Sequence, residues 1–140
     1  SAPPWELTDA IDRGDTPGAL ATLHRLLDAG DRHPLVVMAT LHGHFGRMLR
    51  LDGLDGLDEA GAAKVLGLKG STFPARKARD GARALGSAGI ADAFALLTAA
   101  DLDLRGATAW PERLVLEVLV ARLSRLRRAA RSKARPAGRR

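Results

Sequence analysis

Apolar side chains recur three and four residues apart along most of this chain, in runs that prolines open and glycines close. That spacing lines one face of an α-helix and fits no strand. The run DTPGALATLHRLLDAG shows the grammar. Asp15 or Thr16 can cap a helix with Pro17 in its first turn. Leu20, Leu23, Leu26 and Leu27 form its buried stripe, and Gly30 suits the left-handed position past its end. The same reading predicts further helices over about 5–13, 34–51, 59–66, 74–85, 90–105 and 111–128. Pro3 and Pro4 precede the first, and Gly14 ends it. The 34–51 helix gathers Leu35, Met38, Leu41, Phe45, Met48 and Leu49 on one face, and the 90–105 helix is built on Ile90, Phe94, Leu97 and Leu104. Strand formers are too few to compete: there are two isoleucines, three phenylalanines and no tyrosine. The expected fold is all-α, a compact bundle of about six or seven helices with short connections.

The 111–128 helix, carrying Leu114, Val115, Val118, Leu119, Leu123 and Leu126, is apolar around more of its circumference than a one-sided helix needs. It is either the central core helix or it offers a second face to a partner. Leu114, Val115, Val118, Leu119 and Arg122 are the partner-interface candidates.

A chain of 140 residues suffices to bury one core without staples. The helical domain is expected over about 5–126, with residues 1–4 as a leader or cloning remnant and 127–140 as a disordered tail. With no cysteine, disulfides, thiolate metal sites and a cysteine nucleophile are excluded. The first residues, SAPPWELTDA, lack the pattern of a secretory signal, and no apolar run is expected to approach the roughly 20 residues that cross a bilayer. A soluble cytoplasmic protein with no membrane partner is expected.

Charge is unevenly spread. Residues 126–140 hold seven of the 22 cationic side chains and none of the 16 acids, which leaves the rest of the chain at −1. Arg127, Arg128, Arg131, Lys133 and Arg135 are therefore the DNA-contact candidates, for non-specific binding to phosphates. The plainer reading is a solvated basic end. Eighteen arginines against four lysines, with no asparagine or glutamine, also reflect GC-rich coding and weaken arguments from arginine content.

Little in the chain suggests chemistry. His42 and His44, two apart, turn about 200° from each other on a helix, and His24 and His33 lie at no metal-ligand spacing. The segment GLKGST lacks the Gly-Lys-Ser/Thr order of a phosphate loop, no serine sits in GxSxG, and Asp101 and Asp103 face apart. No catalytic, metal or cofactor site is expected. The strongest local motif is AAKVLGLKGSTFPARKAR, whose helix–turn–basic-helix order would place Arg76, Lys77, Arg79 and Arg83 on a DNA-recognition helix. Pro74, the near-neutral body and the lack of adenine-reading amides favour a structural hairpin instead.

Taken in order, three segments resemble the C-terminal collar domain of the delta subunit of the bacterial DNA polymerase III clamp loader. They are WELTDAIDRGDTPGALATLHRLLDAGDRHPLVVMATLHGHFGRMLRL, AAKVLGLKGSTFPARKAR and LLTAADLDLRGATAWPERLVLEVLVARL. Asp101, Leu104 and Glu117 fall on the family pattern, and Arg105 stands where lysine is usual. The resemblance covers about residues 5–126, and the composition fits an actinobacterial source. It implies a clamp-loader collar-like bundle that assembles with the other loader subunits and supports sliding-clamp loading in DNA replication. It also implies that the sliding clamp is contacted only through upstream domains, and that this domain is not itself an enzyme, although the parent complex is a DNA-directed DNA polymerase.

Overall fold

In a computed structural model of the chain, described for residues 3–28, 30 and 33–134, all regular structure is helical. Six helices follow one another: α1 (Pro4–Asp12), α2 (Thr16–Asp28), α3 (Pro34–Leu51), α4 (Glu59–Leu66), α5 (Phe73–Leu102) and α6 (Glu112–Ala134). A π-turn, Asp103–Ala107, extends α5.

Local chemistry sets most boundaries. Pro4 opens α1. Asp15 caps α2 by accepting from the Gly18 amide at 3.0 Å, and His33 caps α3, its Nδ1 accepting from the Leu35 amide at 3.1 Å. Asp58 caps α4 in the same way, its Oδ1 accepting from the Gly61 amide at 2.7 Å.

Two helices depart from expectation. The segments expected over 74–85 and 90–105 form one element, bent where Gly86 takes φ 69° and ψ 171°. That conformation belongs essentially to glycine, so the bend needs no intervening loop. The final helix continues through the start of the expected disordered tail to Ala134. Arginine and alanine are strong helix formers, and cations suit a helix C-terminus, so a basic run does not by itself melt the helix.

The main core joins α1, α2, α3, the second half of α5 and α6. Leu7, Leu23, Leu41, Leu97, Leu116 and Val120 are each 0% exposed at its centre. A satellite cluster of Leu51, Ala62, Ala63, Leu66, Ala75 and Ala78 seats α4 and the first half of α5 against the end of α3. The helix pair in AAKVLGLKGSTFPARKAR thus has a packing role.

On α3 the buried axis runs Val37, Leu41, His44, Met48, Leu51, with Met38 and Phe45 beside it. Leu35 and Leu49 lie roughly 130° and 90° from its centre and are exposed, contrary to the expected stripe. Where α3 meets α5, Gly81 leaves room for the Met48 side chain: a Cβ there would stand 2.5 Å from Met48 Cε.

Contrary to the expectation from sequence, the helical segment Phe73–Ala107 contains an 18-residue stretch that is by length and composition apolar enough to cross a membrane. In the bundle it bends at Gly86 and buries Ile90, Ala93, Leu97 and Ala100 in the core.

Candidate partner-binding surfaces

Inter-helix polar contacts fix how the ends of the bundle align. Down the antiparallel pair α2 and α6, Thr16 Oγ1 lies 2.6 Å from Ser124 Oγ, His24 Nε2 lies 2.6 Å from Glu117, and Arg113 donates to Asp28 at 2.5 Å. The Arg113 guanidinium holds the Asp28 carboxyl below the ordinary carboxylate range, and Asp28 in turn raises Arg113. Between α3 and the antiparallel second half of α5, His42 Nε2 lies 2.7 Å from Asp101. His44, buried at 7% exposure, reaches Asp12 at 2.8 Å and ties α3 to α1. Asp101 and Glu117, singled out by the resemblance, are thus each a partner to a histidine on another helix. His24, His42 and His44 thus join helices and His33 caps its own, and among the described residues no group of three or more His, Asp or Glu could hold a metal ion.

These pairings bring the C-termini of α2 and α5 and the N-termini of α3 and α6 to one end of the bundle. Five large apolar side chains stand exposed there: Leu35, Val36, Leu102, Trp110 and Leu114. Exposed apolar side chains with an aromatic anchor such as Trp110 among them are typical of protein interfaces.

The interface expected along α6 needs correction. Val115 and Leu119 are 4% and 3% exposed and belong to the domain's own core, because α6 packs against α1 and α2 on one side and α5 on the other. Its wide apolar circumference is met within the chain. Val118 is half-buried, and of the expected interface residues only Leu114 and Arg122 are exposed. Leu35, Val36, Leu102 and Trp110 were missed because only the topology brings them together. The one local signal was an unabsorbed Trp110 just before Pro111.

The expected DNA-contacting cations divide. Arg127 is folded into the body, its Nη1 donating 2.8 Å to the Asp12 carbonyl at the end of α1. This corrects its placement in a free tail. Arg131 and Lys133 are exposed on α6, whereas the Arg128 side chain and Arg135 lie outside the described residues. On the 74–85 segment, Arg79 and Arg83 donate to the Leu57 carbonyl, Arg76 lies 3.7 Å from Glu59, and Lys77 pairs with Asp9. The four cations that a recognition helix would direct at DNA are held in contacts within the domain.

A second surface is a cleft of about 480 Å³ between α1, α3 and the start of α5. Trp5 and Phe73, 60% and 52% exposed, stand at its rim, and Thr8, Asp9, His44, Arg47, Pro74, Lys77 and Ala78 complete it. Burial lowers the Lys77 pKa from its ordinary 10.5.

Among known proteins, no family model, no curated protein and no solved structure matches this chain.

Proposed function

We propose that the chain is a subunit-assembly domain, the collar of a clamp-loader delta subunit, and that it joins neighbouring loader subunits through the apolar end of its bundle. The observation that carries this reading is the exposure of Leu35, Val36, Leu102, Trp110 and Leu114 on helix ends that the inter-helix contacts bring to one end of the bundle. The ordered resemblance of residues 5–126 supports the choice of partner. In this role the domain performs no chemistry. It contributes buried area and orientation, which a ring of helical domains needs to hold its members in register. Arg131 and Lys133 on the exposed end of α6 suit a secondary, salt-sensitive contact with DNA phosphates.

Co-purification with the other clamp-loader subunits tests the reading. The wild-type chain is expected to be retained, and the double variant Trp110→Asp/Leu114→Asp, with its helix content intact, is expected to be lost. Equal retention of the two, or no retention of the wild type, rejects it.

A further inference from the structure

Arg47 sits differently from every other half-buried cation among the described residues. Lys77 pairs with Asp9, Arg79 donates to the Leu57 carbonyl and Arg127 to the Asp12 carbonyl. Arg47, half-buried on α3, has no hydrogen bond or ion pair. It lines the cleft that Trp5 and Phe73 flank.

We propose that this cleft binds a small aromatic carboxylate, its anionic group held by Arg47 and its apolar body lying against Trp5 and Phe73. Each part of that ligand class answers a feature of the cleft. A partly desolvated guanidinium with its donors unused favours a planar carboxylate, which it can engage with two parallel hydrogen bonds. Lys77 already pairs with Asp9, and Asp12 is taken up by its contact with His44, so Arg47 is the half-buried cation of the cleft whose donors remain unused.

The two exposed aromatic side chains, with Pro74 and Ala78 beside them, supply the apolar contact. The cleft volume falls within the range of about 300–1,000 Å³ that accommodates small molecules. The proposal is independent of the assembly role: the cleft and the apolar bundle end share no residue.

The full chain carrying Trp110→Phe tests it, because Trp5 is then the only tryptophan. Trp5 emission is followed during titration with 3-phenylpropanoate and, separately, with the uncharged 3-phenylpropanamide. The acid is expected to give a saturable change with a midpoint in the millimolar range or tighter, and the amide to bind about tenfold more weakly. Arg47→Met should abolish the preference for acid over amide, and Arg47→Lys should retain part of it. Phe73→Ala should weaken both ligands alike. Inorganic phosphate at equal concentration should not displace the acid.

Acid and amide binding equally, or no change in Trp5 up to about 20 mM of either, overturns the proposal. So does equal displacement by phosphate, which would mark a simple anion site. Should Arg47→Met fail to fold, judged by its helix content, the acid–amide comparison and Arg47→Lys still decide the matter.

Discussion

Replacing Gly86 by alanine isolates what the bend in α5 requires. An added Cβ meets no heavy atom within 4 Å at Gly86, and the same is true at Gly46 in the middle of α3. The two sites differ only in backbone: Gly86 has φ 69° and ψ 171°, whereas Gly46 is ordinary helix. Alanine at 86 must hold a conformation that costs about 1–3 kcal/mol, and reduced freedom of the unfolded chain offsets only part of that. The net loss is about 1–2 kcal/mol. At 46 the strain is absent, and alanine should stabilise by about 0.5–1 kcal/mol. Urea unfolding followed by helical circular dichroism reads both. With a slope of about 1–3 kcal/mol/M, the Gly86→Ala midpoint falls by roughly 0.5–1 M and that of Gly46→Ala rises by less. If Gly86→Ala matches or exceeds the wild type, α5 straightens freely and the account of the bend is wrong.

Three other perturbations probe the same framework. Leu116→Ala, at a fully buried site on α6, should cost about 2–5 kcal/mol, and Leu114→Ala, two residues earlier at the surface, about 1 kcal/mol or less; both are measured by urea unfolding. Arg127→Ala should lose about 1–2 kcal/mol through the freed Asp12 carbonyl and lost packing, whereas Arg131→Ala should stay within about 0.5 kcal/mol. Because the folded Asp28 pKa lies below its ordinary 3.8, its contribution is present above that value and is lost as pH falls through the folded pKa. Asp28→Asn should therefore flatten stability against pH in that acidic window, by a small amount since the pair is exposed, and unchanged curves would refute the link.

Much of the fold was legible because local chemistry and periodicity agree. The bounds of α4 and the Asp15 cap on α2 follow from residues adjacent in sequence. What escaped depended on tertiary context. Leu35 and Leu49 fit a three-and-four spacing but lie off the axis that α5 and α1 select, and Val115 and Leu119 are claimed by neighbours on both sides of α6. Arg127 reads as part of a basic tail until α1 offers it an unpaired carbonyl at Asp12. Both candidate surfaces are of this kind. The apolar end draws on residues from 35 to 114, and the Arg47 cleft joins α1, α3 and α5. No window of sequence contains either.

The central claim is the proposed assembly role, and native mass spectrometry of the chain mixed with the subunits of a bacterial clamp loader tests it most directly. The account predicts a discrete complex heavier by one copy of this 14.8 kDa chain, lost when Trp110 and Leu114 are both made aspartate. A chain that stays at its monomer mass beside an otherwise assembled loader contradicts it.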